Sequence, residues 1–250
     1  NVTLQNQEYV GMLELAYDDT VVVSRRGDVI PAVERVVEKN ETGHTTWKMP
    51  DACPSCGTSL SVQGAHHFCI NRSCPAQVKG RLYFFVGKGQ MDIENVGPET
   101  IDVLIGEGLV GDVQDLYRFS IDALDQLPGF GEKKIELIRV GIEQSKSKPF
   151  TTVLPSLGVR ELGPKATELM VGTGIHSIDE MYAISDDNAI ERLVEIDGIG
   201  EKTAQRIVSE LDDPVIRQRI ADLREAGVRF EVAPGDLPDP EGDTFSDQVW

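Results

Sequence analysis

The sequence predicts a mainly α-helical protein with a small β part near its start. Three observations carry that expectation: two β-branched runs in the first 40 residues, four cysteines between positions 53 and 74, and a helical pattern over residues 80–232 that glycine interrupts at near-regular intervals. With 250 residues, 40% of them hydrophobic, the chain is expected to fold as two or three small domains.

Residues 3–14 read as a short helix behind a Thr3 cap. Asp18-Asp19 marks a turn, Thr20 to Ser24 a strand, Arg25-Arg26-Gly27-Asp28 a hairpin turn and Val29 to Val37 a second strand. Residues 40–52 read as a polar linker and residues 233–243, rich in Pro, Gly and Asp, as another. The closing FSDQVW reads as the start of a further strand. The first residue is not Met and the opening has no signal pattern, so the chain is expected to begin partway through a domain and to be cytoplasmic. No run of about 18 apolar residues occurs, which argues against a membrane span.

The cysteines follow the spacing Cys53-x2-Cys56-x12-Cys69-x4-Cys74. Two short cysteine hairpins around a loop are the pattern of a tetrahedral Zn²⁺ site, in which four thiolates converge at about 2.3 Å from the ion. Such a shell is closed to water, so the metal is expected to be structural. Two disulfides or four unrelated thiols are the alternatives, and the lack of a secretion signal disfavours the disulfides. His66 and His67 read as loop residues rather than ligands.

The helical region repeats around Gly97, Gly131, Gly163 and Gly200, at intervals of 34, 32 and 37 residues. The windows are Ile93-Glu-Asn-Val-Gly97, Leu127-Pro-Gly-Phe-Gly131, Val159-Arg-Glu-Leu-Gly163 and Ile196-Asp-Gly-Ile-Gly200, each followed by a helix-like stretch. In the second and fourth, Gly129 and Gly198 permit positive φ, the apolar residue plugs the flanking helices, and the last glycine opens a helix with bare N–H groups. A phosphate can then approach a positive dipole end with no β-carbon in the way. Lys133, Lys165 and Lys202 stand two positions after their glycines and can reinforce the contact. This is the helix-hairpin-helix pattern, which binds backbone rather than bases. Asn95 and Glu161 replace the first glycine elsewhere, so the first and third units are expected to be structural, and the second and fourth to grip DNA. A peptide-binding helical solenoid is the plainer alternative.

Charge argues the other way. The chain carries 42 acidic against 24 Lys and Arg residues, a net charge of −18. Nucleic-acid binding needs local positive potential. The cysteine region is spared: residues 51–90 hold Arg72, Lys79, Arg81 and Lys88 against Asp51 alone. An exterior adapted to salt is a further reading of the acidity.

The order of parts resembles a known family. Asp19-Thr-Val-Val-Val-Ser-Arg-Arg-Gly-Asp-Val-Ile-Pro31, the four-cysteine knuckle, four helix-hairpin-helix units and an acidic linker are together similar to the C-terminal part of bacterial-type NAD-dependent DNA ligases, and Thr3-Leu-Gln-Asn6 looks like a segment of their barrel. The resemblance implies a partial OB-fold at 1–49, a four-cysteine zinc finger at 50–79, a tandem helix-hairpin-helix domain at 80–232, and an acidic linker with the start of a truncated BRCT domain at 233–250. It implies that Arg25, Val29 and Ile30 meet DNA near a nick, the apolar pair in the minor groove. Plain strand packing of that pair is the alternative. It implies that the zinc staples the strands to the helical array. It also implies an enzyme that moves AMP from NAD⁺ to a lysine and then to a 5′-phosphate, which the 3′-hydroxyl attacks. The family's lysine lies in Lys-x-Asp-Gly, a tetrad that does not occur here. No catalytic residue is therefore expected in this chain, and NAD⁺ and Mg²⁺ are expected only through further domains. The expected partners are nicked double-stranded DNA and the adenylation and BRCT domains of the same protein, with the chain monomeric. A non-enzymatic tandem helix-hairpin-helix repair or recombination module is the alternative, and a zinc-bearing protein scaffold a third reading.

Overall fold

Antiparallel pairing in the first unit and glycine-started helices in the second divide the fold. The computed structural model describes residues 1–26, 30–186 and 188–236. It contains two compact units, Asn1–Gln77 and Val78–Trp250.

In the first unit, α1 (Gln7–Met12) is capped by Asn6, whose side chain accepts from the Tyr9 amide. The cap expected at Thr3 is thus displaced: Gln5 at φ +54° turns the chain, and Thr3 bridges to Ala32. Strands β1 (Thr20–Arg26) and β2 (Ile30–Glu38) pair antiparallel, with Arg25 opposite Pro31 and Arg26 opposite Ile30. Arg25 and Arg26 therefore extend the strand instead of starting the turn, since each further pair satisfies more main-chain groups. Val29 lies outside the described residues, as does the strand expected in the closing FSDQVW. Val10, Ala32 and Val33 are buried, and the Tyr9 hydroxyl donates to the Val33 carbonyl. Asp19 ties down the following loop by accepting from the amide and side chain of Asn40. A second hairpin, β3 (Leu60–Gln63) with β4 (His66–Cys69), belongs to the cysteine knuckle.

From Pro75 onward the chain is helical: α2 (Pro75–Val86), α3 (Pro98–Gly106), α4 (Glu132–Ser145), α5 (Phe150–Ser156), α6 (Pro164–Gly172), α7 (Ile178–Asp186), α8 (Ala189–Val194), α9 (Glu201–Leu211) and α10 (Pro214–Glu225). Two 3₁₀ turns, Val113–Tyr117 and Ile121–Gln126, precede α4. Each glycine-anchored window connects two helical segments, and the second unit shares one core that includes Leu82, Phe85, Ile101, Ile138, Leu154 and Leu223. Asp112 caps the first 3₁₀ turn and accepts from Arg81 and from the buried Arg219, both at 2.8 Å. Among the described residues no helix is long and apolar enough to cross a membrane.

Candidate nucleic-acid interface and metal centre

The four glycine windows adopt one geometry. Asn95, Gly129, Glu161 and Gly198 are all left-handed, at φ +64°, +83°, +63° and +94°. The next residue in each, Val96, Phe130, Leu162 and Ile199, is buried. Its amide closes the turn by donating to the carbonyl three residues back, in Ile93, Leu127, Val159 and Ile196 at 3.0–3.3 Å. The non-glycine residues Asn95 and Glu161 thus take the same backbone as Gly129 and Gly198. The buried plug fixes the turn and outweighs the penalty of a left-handed side chain, which for Asn is small and for Glu larger.

Gly97, Gly131, Gly163 and Gly200 are then helix N-caps with extended backbone and no side-chain cap bond. A β-carbon built on any of the four would meet nothing within 4 Å. Gly131, Gly163 and Gly200 are exposed and Gly97 is half-buried. The first-turn amides therefore point at open space with the positive end of the helix dipole behind them. The hairpins alternate in kind: Pro98 and Pro164 follow the glycine in the first and third, and Glu132 and Glu201 in the second and fourth. Proline has no N–H, so the first and third helix starts offer one donor fewer.

Lys133, Lys165 and Lys202 are exposed and make no ion pair among the described residues. Many other cations of this acidic chain are engaged: Arg118 by Asp222 and Glu225, Arg139 by Asp122, Arg219 by Asp112 and Arg224 by Asp179. The lysines beside the bare helix starts are left available to an outside anion. Arg25 and Ile30 on the strand hairpin are also exposed, Ile30 by 58%.

The four cysteine sulfurs converge, all within 4.8 Å of one another. Cys53 and Cys74 are 3.8 Å apart, and Cys56 and Cys69 3.5 Å. Disulfide sulfurs would stand at about 2.05 Å, whereas thiolates on one Zn²⁺ stand roughly 3.8 Å apart. The donor set thus fits a tetrahedral soft cation. Gly57 at φ +73° makes the first knuckle possible, its amide donating to the Cys53 carbonyl at 2.8 Å. The Thr58 hydroxyl and amide draw the Cys56 thiol down to about 6. The Asn71 amide acts in the same sense on Cys69, but burial and the neighbouring sulfurs outweigh it and push that thiol up to about 12.

Residues 1–45 match the family model "NAD-dependent DNA ligase OB-fold domain", and residues 91–144 and 155–213 each match "SAM-like Helix-hairpin-helix tandem". Across nearly its whole length the chain is similar to curated proteins named DNA ligase. It is 40% identical over 253 residues to that of Leptospira interrogans serogroup Icterohaemorrhagiae serovar copenhageni, covering 99% of this chain and 36% of the relative. It is 36% identical to those of Borrelia recurrentis (92% and 34% covered) and Leptospira biflexa (99% and 37%).

The chain belongs to the NAD-dependent DNA ligase family. It spans about a third of the length of the curated relatives it matches. Its ligase-type strand hairpin and helix-hairpin-helix tandems make it a DNA-binding part of such an enzyme. The tandem match pairs the first hairpin with the second and the third with the fourth.

Some contacts that shape this ligase surface have no sequence signature. Gly141 of α4 packs on the main chain of Glu94. At the corresponding place in the second tandem, three residues before Gly163 and ten after Gly200, Arg160 faces Glu210 at 3.9 Å. Phe84 of α2, 43% exposed, lines a groove with Gly163, Lys165, Leu169, Gly198 and Thr203. Only the duplication of the tandems, read as a structural correspondence, brings the Gly141 and Glu210 positions together.

Proposed function

We propose that this chain is the duplex-gripping portion of an enzyme that seals 5′-phosphate/3′-hydroxyl nicks. Its part is to hold and align the nicked strand, while AMP transfer from NAD⁺, with Mg²⁺, is carried by adenylation machinery of the same protein. The observation that carries the reading is the set of four helix starts with the same left-handed turn and buried plug, whose glycines place no β-carbon over the amides. Those amides bind phosphodiester oxygens, with Lys133, Lys165 and Lys202 reinforcing the contact.

The spacing within a tandem supports a grip at two points of the duplex. Glu94, next to the first turn, touches Gly141, ten residues along α4 from Gly131. At 1.5 Å per residue that is about 15 Å along α4, which sets the first hairpin turn well apart from the second helix start, so that the two can meet different phosphates. The second and fourth hairpins, with a full set of amides, carry the larger share, and the strand hairpin adds Arg25, Val29 and Ile30 near the nick. Because no base edge is read, affinity is independent of sequence.

We infer that the cysteine cluster (Cys53, Cys56, Cys69 and Cys74) holds Zn²⁺ in a structural role. Four thiolates fill a tetrahedral shell and leave no position for a reacting water. The ion's chemistry is charge neutralisation of the thiolates; the knuckle residues supply the ligand geometry.

The test is an anisotropy titration of the chain against nicked, intact and single-stranded DNA of unrelated sequences. Tight binding to both duplexes, strongest to the nicked one, is expected for every sequence. Absence of binding to any duplex at low salt overturns the reading.

A further inference from the structure

The segment that follows the second tandem turns back onto both tandems. The tandem match ends at residue 213, and α10 with residues 226–232 lies beyond it. α10 packs on α9 of the second tandem and on the 3₁₀ turn Val113–Tyr117 of the first. Its charged side chains divide between the two. Toward the first tandem, Arg219 donates to Asp112 at 2.8 Å, while Asp222 and Glu225 accept from Arg118 at 3.2 and 2.6 Å. Toward the second, Arg224 makes a two-point pair with Asp179 at 2.8 and 2.9 Å. The chain after α10 repeats the division. The Arg229 amide donates to the carbonyl of Lys146 at the end of α4, whereas the Val232 amide donates to the His176 carbonyl and the Phe230 carbonyl accepts from the Ile178 amide. Arg219 is buried, and a slip of α10 along the first tandem would leave its charge without a partner, at a cost of about 3–5 kcal/mol. That pair therefore selects one register between the two tandems.

We propose that residues 214–232 form a clasp that fixes the spacing of the two tandems, with Arg219 and Arg118 as its positioning residues, so that both tandems engage one duplex at once. This rests on the reading of the hairpins as a duplex grip. Two grips on one ligand reinforce each other only when their separation is held. The second contact is then intramolecular, and the combined affinity exceeds either alone by about 10²- to 10⁴-fold. A clasp that yields lowers the effective concentration of the second grip while every DNA-facing group stays in place. The clasp residues thus act on affinity through geometry, without touching the duplex.

The experiment is a thermodynamic cycle on the full chain, with nicked duplex as probe. One arm opens the clasp by Arg118→Ala with Arg219→Met. Met takes the volume of the buried stem, and Arg81 still neutralises Asp112, so no charge is orphaned. The other arm closes the second tandem to DNA by Gly163→Val with Gly200→Val. Opening the clasp is expected to weaken binding roughly 10-fold in the parent, a part of the avidity of two linked grips, and to leave binding unchanged where the second tandem is already closed. A direct DNA contact or a general loss of folding would weaken both backgrounds alike. If Arg219→Met brings the unfolding temperature into the assay range, Arg118→Ala with Arg224→Ala is read instead. These side chains are 38% and 46% exposed, and the same pattern is expected at about 2- to 3-fold. Equal effects in both backgrounds, or none in the parent, overturn the proposal. If closing the second tandem weakens binding while opening the clasp does not, this inference alone fails. If the parent binds no duplex, the duplex-grip reading falls and this one with it.

Discussion

Gly141 in the middle of α4 presses against the main chain of Glu94, with no space between them for a β-carbon. That contact seats the first hairpin turn on the second helix of its tandem. Gly141→Ala must push the two apart, at a cost of about 1–3 kcal/mol for an overpacked site. Gly131→Ala, in open space, should leave stability within about 0.5 kcal/mol. Thermal or denaturant unfolding of the pair of variants checks the contrast.

Asp112 and the buried Arg219 make a second prediction. Burial pushes the Asp112 carboxyl up, but Arg219, then the Val113 amide and Arg81, outweigh it and hold it below the usual carboxylate range. A carboxylate whose folded pKa is depressed contributes stability above its unfolded pKa of about 3.9, and loses that contribution as pH falls through the folded value. Asp112→Asn leaves Arg219 buried without a counter-charge and should cost about 3 kcal/mol near neutral pH. The gap between parent and variant should narrow as pH falls below about 4. Denaturant midpoints measured across acid pH give the answer, and a gap that widens would contradict the assignment.

For DNA, obstruction of the helix start should matter more than loss of one ammonium. Gly131→Val and Gly200→Val are expected to cut affinity by 10-fold or more, on the order of one lost charge-assisted contact, and Lys202→Ala by only about 2- to 5-fold. With Lys133, Lys165 and Lys202 as main cations, log affinity against log salt should fall with a slope of roughly −3. A much steeper slope would mean that side-chain charge, not main-chain amide, dominates.

The knuckle should carry one Zn²⁺ per chain by metal analysis. Thiolate ligation releases protons on metal binding, so affinity should drop as pH falls and the thiols reprotonate. Chelation or Cys53→Ser should lower the unfolding temperature of the chain and expose the remaining thiols to a thiol reagent.

Much of this was legible in one dimension because the decisive features are local. Gly-Phe-Gly131 and Gly-Ile-Gly200 announce a left-handed turn and a helix start through their own stereochemistry, and the cysteine spacing announces the knuckle. Glu161 was less legible: its side chain disfavours positive φ, yet the burial of Leu162 imposes it. Arg25 and Arg26 look like turn residues but pair across the hairpin, since strand length depends on what lies opposite. Gly141, Asp112 and Arg219 are long-range partners joined by packing, and nothing in the spacing of a single chain marks such pairs.

The alternation of proline-led and glutamate-led helix starts bears on the origin of the array. Had one hairpin been copied three times, its descendants would have no reason to fall into an A-B-A-B order. An order of that kind makes the two-hairpin couple, rather than the single hairpin, the unit that repeats along the chain.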